Sequence, residues 1–150
     1  MSAYFRWEPS PDHPGWTEYD LAEPGHYNRA VLGTLLVRGD SPDHCRVRMA
    51  PRVLHTNSAG RIHGGVTLGL VDVSLFAAMY QLRGIPVSGS VTVDLQCQFI
   101  GPGDGARPLD CVVELLRETR RMGFLRGLVV QDDDLVASFT ATMRKPAVPQ

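Results

Sequence analysis

Most of the residues able to do chemistry fall between Asn57 and Asp72: Asn57 itself, then His63-Gly64-Gly65, then Asp72. Gly64 and Gly65 stand where a loop gives way to a helix. Free backbone N–H groups point out of such an end, and the helix dipole favours negative charge there. Without Cβ atoms, a ligand can approach the backbone closely. That arrangement can polarise a carbonyl and hold a developing oxyanion, although a glycine turn needed only for packing has the same sequence. Asp72 is the sharper anomaly. On a helical wheel it shares a face with Gly65, Leu68, Gly69, Leu75, Phe76 and Met79, while Thr67, Ser74 and Gln81 fall opposite. A carboxylate on an apolar face costs free energy unless it is paired, hydrogen-bonded or protonated. Spacing alone leaves two readings open: a poised general base or nucleophile, or a structural carboxylate paired with Arg61 or Arg83.

The elements that must position these residues follow from periodicity. One long helix is predicted from about Gly64 to Leu82, stopped by Gly84 and Pro86. Before it, residues 29–38 and 45–53 read as strands around the turn Gly39-Asp40-Ser41-Pro42-Asp43, with Gly33 marking a weak point or a bulge. After it, residues 90–99 alternate, with Val91, Val93, Leu95, Cys97 and Phe99 on one side and Ser90, Thr92, Asp94, Gln96 and Gln98 on the other. Further strands are predicted at 108–117, 123–131 and 135–143, the last two joined by Asp132-Asp133-Asp134. Residues 1–28 hold Pro9, Pro11, Pro14 and Pro24 among Tyr4, Trp7, Trp16 and Tyr19. They read as an extended arm laid on a domain of residues 29–146, with a frayed tail as the alternative for the first ten. One helix covering an antiparallel sheet of five or six strands is an α+β architecture.

Composition narrows the function classes. The 150 residues are 43% hydrophobic and 21% charged with a formal net charge of -1, which suits one globular domain and provides no field for nucleic acid or anionic membrane. Lys145 is the only lysine. Arginine's forked donors suit a phosphorylated ligand, but genomic base composition would produce the same bias. Cys45, Cys97 and Cys111 lack CxxC spacing, and the five histidines lack zinc-ligand spacing, so neither a disulfide framework nor a metal site is expected. Cys97 and Cys111 are expected in the core. No signal-peptide pattern opens the chain, and no apolar run long enough to cross a bilayer is expected. The reading is a cytoplasmic protein with no membrane and no nucleic-acid partner.

The pattern Asn57-x-x-Gly60-x-x-His63-Gly64-Gly65, followed by Leu70-Val71-Asp72, resembles the hotdog-fold acyl-CoA thioesterases. The nearest branch is the phenylacetate-degradation type, which includes the mammalian thioesterase superfamily proteins. The resemblance covers about residues 29–144. It implies a hotdog fold, a long central helix wrapped by a curved antiparallel sheet of five to six strands, and hydrolysis of an acyl-CoA to free acid and coenzyme A. It also implies roles. The Gly64 N–H would polarise the thioester carbonyl, and Asp72 of the opposite subunit would activate water or attack directly. Asn57 would orient water or the thioester, and His63 would support the turn or bond near the carbonyl. A hydroxyl early in the next strand would position the carboxylate. Thr92 falls there but on the polar face by alternation, so Ser90 is the substitute unless a bulge turns Thr92 inward. Gly65 would join the substrate contacts, Phe76 and Met79 (with Tyr80) have the size to line an acyl tunnel, and Arg120, Arg121 and Gly123 match a turn near the nucleotide or form a solvated turn.

Gly64 and Asp72 are separated by ~12 Å of helix rise, too far for one substrate carbon to meet both. A homodimer is therefore expected, and the resemblance to hotdog proteins implies that such dimers pair further into a homotetramer. Coenzyme A enters as part of the substrate, and no separate cofactor is implied. Two other functions stay open: a hotdog hydratase or dehydratase, whose His-Phe-Pro pattern is absent here, and a non-catalytic acyl-CoA-binding protein, which would have no need of a poised base.

Overall fold

Gly64 and Gly84 bracket the single long helix of the computed structural model, α1 (Gly64–Arg83). The structure describes residues 4–147; the first three residues of the expected arm and residues 148–150 lie outside the described residues. Gly84 closes the helix in the left-handed conformation at φ 65°, its N–H reaching the carbonyls of Met79 and Tyr80. Glycine takes this conformation without a Cβ penalty.

Around α1 runs one antiparallel sheet. Its strands are β1 (Phe5–Pro9), β2 (Thr17–Leu21), β3 (Leu35–Ser41), β4 (His44–Met49), β5 (Val91–Phe99), β6 (Leu109–Glu118), β7 (Met122–Gln131) and β8 (Asp134–Arg144). Their order across the sheet is β1-β2-β3-β4-β6-β7-β8-β5. The fold is α+β and hotdog-like, but the sheet has eight strands, not the expected five or six. The two extra strands come from the proline-rich N-terminal segment. Its prolines do not prevent pairing because Pro9 ends the edge strand β1, and Pro11 and Pro14 fall in the following turn. Phe5 pairs with Leu21 and Thr17 with Val37, so the hairpin extends the sheet beyond β3. Phe5, Trp7, Tyr19 and Tyr80 pack across it with ring centroids 4.8–6.5 Å apart, edge to face except for the tilted Trp7–Tyr19 pair, a favoured aromatic geometry. On the outer side Trp16 lies under the guanidinium groups of Arg38 and Arg48.

The predicted strand 29–38 is only half present. Residues Asn28–Leu32 form a single π-helical turn, and Gly33, at φ 76°, ends it before β3 begins at Leu35. Apolar Val31 and Leu32 looked like strand, but the left-handed glycine separates two conformations.

The helix departs in part from the wheel reading: Leu75 and Met79 are buried and Gln81 is exposed as expected, but the sheet covers much of the expected polar face. Thr67 and Ser74 face the sheet at 2% and 0% exposure, beside Leu70, Val71 and Ala78. Ser74 Oγ satisfies itself on the Leu70 carbonyl at 2.6 Å. The stripe holding Gly65, Leu68, Gly69, Asp72 and Phe76 is the one left open or half-open. Length and mean hydropathy (1.4) would let α1 pass as a membrane span, contrary to the expectation that no run comes close, but 56% of that window is buried under the sheet. Cys111 is wholly buried as expected, whereas Cys97 is only half-buried.

Candidate active site

The first turn of α1 uses all but one of its donors. The His63 N–H goes to the His55 carbonyl, the Gly65 N–H to His63 Nδ1 at 3.0 Å, and those of Val66 and Thr67 to the His63 carbonyl. The Gly64 N–H has no partner among the described residues. His63 is thus the N-cap, and an accepting Nδ1 puts the neutral ring's proton on Nε2, at an exposed position. A Cβ on Gly65 would stand 3.0 Å from that Nδ1, so any side chain there would crowd the capping ring. Phe99, at the end of β5, lies 3.4 Å from where a Gly64 Cβ would be.

The loop leading into this turn is folded by Asn57. Its Oδ1 accepts from the N–H groups of Ala59 and Arg61 at 2.9 and 3.1 Å, an Asx turn. Its amide nitrogen has no protein partner among the described residues and is exposed. Behind the loop, His55 is fully buried; its Nδ1 accepts from the Arg52 N–H and its Nε2 reaches the Val31 carbonyl at 2.5 Å.

Two turns further along α1, Asp72 Oδ1 accepts a hydrogen bond from Thr92 Oγ1 at 2.7 Å. Asp72 Oδ2 carries no protein partner among the described residues. Neither arginine considered for a structural pair takes that place: Arg83 reaches Asp43 and Glu118, and Arg61 forms no ion pair among the described residues. A bulge explains Thr92. The register slips between Thr92 and Asp94, so Val93 is the extra residue. Thr92 thereby joins Leu95, Cys97 and Phe99, opposite the buried Met143, Ala141, Phe139 and Ala137. Ser90 instead donates to the Pro86 carbonyl.

The thiols offer no alternative nucleophile. Burial pushes Cys45 and Cys111 up to about 12 and raises Cys97 as well, so none is a thiolate near neutral pH. No group of three or more His, Cys, Asp or Glu side chains able to hold a metal occurs among the described residues.

The remaining predicted residues do not all gather here. Phe76 sits on the open stripe, half-buried. Met79 is 1% exposed and lies against Gly123, where an added Cβ would come within 2.8 Å of the Met79 methyl. Those two form a core contact near the C-terminal end of α1. Arg120 and Arg121 are exposed in the β6–β7 turn at that same end, away from Gly64. Sequence reasoning missed Tyr27, whose hydroxyl rests on Gly69 of the open stripe; no periodicity signals such a contact.

A family model described as the acyl-CoA thioesterase N-terminal domain matches residues 54–144, from just before Asn57 to the end of β8. Acyl-coenzyme A thioesterase 13 of Homo sapiens is 28% identical over 95 residues, which are 63% of this chain and 66% of the relative, just under two thirds of its length. A putative esterase of Pseudomonas aeruginosa is 29% identical over 116 residues, 77% of this chain and 86% of that protein. Among solved structures, zebra fish thioesterase superfamily member 2 superposes with a TM-score of 0.68 at 26% identity, covering 82% of this chain and 88% of that one. A variant of the phenylacetic acid degradation protein PaaI from Thermus thermophilus gives a TM-score of 0.62 at 26% identity, covering 78% and 96%.

Proposed function

This chain belongs to the hotdog-fold acyl-CoA thioesterase superfamily, and from that premise we propose that it hydrolyses an acyl-CoA thioester to free acid and coenzyme A in a site completed by a second copy of itself. The observation that carries the reading is the Gly64 N–H left free at a helix N-terminus, on a helix whose Asp72 is held by Thr92 through one oxygen and open at the other.

The thioester oxygen binds at the Gly64 N–H, aided by the helix dipole. The partner subunit's Asp72 takes a proton from water as the water oxygen attacks the carbonyl carbon. The resulting oxyanion stays at Gly64. Its collapse breaks the carbon–sulfur bond, and the departing sulfur takes the proton as free coenzyme A. Direct attack by the carboxylate, with water cleaving the mixed anhydride, uses the same two groups. The Asn57 amide and His63 Nε2 are free donors beside the carbonyl.

The sheet edge supports a second copy. β5 is an edge strand nine residues long, and Val91, Val93 and Phe99 on it are 39%, 57% and 55% exposed, with Ile100 beyond at 50%. A long apolar edge beside the open stripe of α1 calls for a cover. Pairing of β5 with its own copy provides one and brings the partner subunit's Asp72 towards Gly64. A dimer of such dimers, coenzyme A phosphates on Arg120 and Arg121, an aryl-acyl or short to medium acyl group beside Phe76, and action in a reducing cytoplasm complete the proposal.

The test is coenzyme A release from a panel of acyl-CoAs, wild type beside Asp72→Asn. Turnover that vanishes in the folded variant supports the reading. Absence of turnover with every thioester would move the assignment to an acyl-CoA binder.

A further inference from the structure

His55 stands in the middle of a chain of hydrogen bonds that starts in the N-terminal segment and ends at the first turn of α1. The residue is fully buried. Its Nδ1 accepts from the Arg52 N–H at 2.9 Å and so carries no proton. The one ring proton therefore sits on Nε2 and goes to the Val31 carbonyl at 2.5 Å. The same carbonyl accepts from Arg52 Nη2 at 2.8 Å. Val31 belongs to the Asn28–Leu32 turn, which Arg29 ties to the Leu21 and Ala22 carbonyls where β2 ends. Val31 and Arg52 both precede the stretch matched by the family model, which begins at residue 54.

At the other end of the chain, the His55 carbonyl accepts from the His63 N–H at 2.8 Å. The His63 carbonyl takes the N–H groups of Val66 and Thr67, and its Nδ1 takes that of Gly65. Those bonds lie inside the first turn and would travel with it if it shifted. Among the described residues, the bond to His55 is the one from His63 that leaves the turn. The peptide carrying the free Gly64 N–H begins at His63, so the direction of that N–H depends on this bond. A donor that stabilises an oxyanion acts only when held at the right place before the reaction. Ile62 is separately pinned to the Gly103 carbonyl at 2.8 Å, which keeps the loop folded when His55 is altered.

We propose that His55 is a positioning residue: by joining the Val31 carbonyl to the His63 N–H it aims the Gly64 N–H at the thioester oxygen, and so makes the N-terminal segment part of the catalytic frame. This rests on the thioesterase reading for the role of that N–H. It explains why a buried imidazole, and not an apolar side chain, stands behind the turn.

The experiment places His55→Asn and His55→Gln in the wild-type and Gly64→Pro backgrounds. Asparagine keeps an acceptor near Nδ1 but falls short of the Val31 carbonyl, which Arg52 still satisfies; glutamine is long enough to reach it. The Gly64 N–H acts chiefly on the oxyanion, so His55→Asn should lower kcat by ~10-fold with KM nearly unchanged. His55→Gln should restore most of that loss. With the donor removed by Gly64→Pro, His55→Asn should cause no further loss, whereas a merely structural histidine would lower both backgrounds alike. Equal losses in the two backgrounds, or no loss in either, overturn the proposal. Hydrogen exchange reads the same tie without turnover. His55→Asn should speed exchange at the His63 and Gly65 amides by ~10-fold or more, with the amides from Leu70 to Ala78 unchanged. Unchanged rates at His63 and Gly65, or acceleration along the whole helix, also overturn it. Were no thioester hydrolysed, exchange would still decide whether His55 holds the turn, while the hydrolytic reading would fail separately. Should His55→Asn not fold, Arg52→Ala keeps the backbone N–H and loosens the same carbonyl. It should show the same pattern with smaller losses, and losses that add across the two backgrounds would overturn the proposal equally.

Discussion

The two edges of the sheet are built in opposite ways. At one edge β1 has five residues, ends at Pro9, and folds its aromatic side chains onto Tyr80 of the helix. Short length and a proline are common ways of retiring an edge from further pairing. At the other edge β5 has nine residues, carries a bulge, and exposes Val91, Val93 and Phe99. The candidate catalytic groups follow the open edge. Thr92 comes from β5, Phe99 of β5 lies against Gly64, and Asp72 looks out of the helix stripe beside it. The difference teaches that the N-terminal hairpin closes its edge of the sheet, whereas β5 leaves a long apolar edge exposed beside the candidate site.

The largest effect separating the two regions should come from Gly64→Pro. Proline is tolerated at the first position of a helix, and His63 already has the extended conformation that proline asks of its predecessor. The variant should keep the helix yet lose the one free N–H, lowering kcat by about 10²–10³, with the circular-dichroism spectrum unchanged. Next is Trp7→Ala at the closed edge. It should cost about 2–3 kcal/mol of stability in a denaturant titration while leaving the sedimentation coefficient as it was. Val93→Lys at the open edge should do the reverse, weakening self-association by ~10-fold or more with little change in monomer stability. Thr92→Val should lower kcat by about 10-fold, the worth of one hydrogen bond to a charged group, without altering assembly.

The smallest effect lies on the outer face near the closed edge. Burial works against the charge of Asp40, but hydrogen bonds from Arg38 and Arg46 prevail and hold its carboxyl below the usual 3.8. A depressed folded value contributes stability that is present above 3.8 and lost as pH falls through the folded value. Asp40→Asn should therefore lower Tm slightly at neutral pH, by a margin that closes as the pH is taken below that window.

Much of this could be read in the sequence. The helix ends were legible because Gly64 and Gly84 mark them chemically, and the family pattern sits on the N-terminal turn. The helix face was not legible. Its polar residues are few and Ser74 satisfies itself on its own backbone, so the wheel could not tell which face the sheet would take. The side of Thr92 was hidden by the bulge at Val93, since strict alternation assigns it outward. Strands β1 and β2 were obscured by prolines that fall at their ends and in the turn between them. Met79 and Gly123 looked like separate site residues because no sequence rule announces that one packs on the other.

The central claim is that each site takes Gly64 from one chain and Asp72 from another. Mixing Gly64→Pro and Asp72→Asn chains, each inactive alone, tests it directly. After subunit exchange, each mixed dimer holds one intact site and one doubly damaged site, so activity should return to about a quarter of wild type for a random twofold pairing. A mixture that exchanges subunits fully and stays inactive would contradict the account, because it would place Gly64 and Asp72 of each site on the same chain.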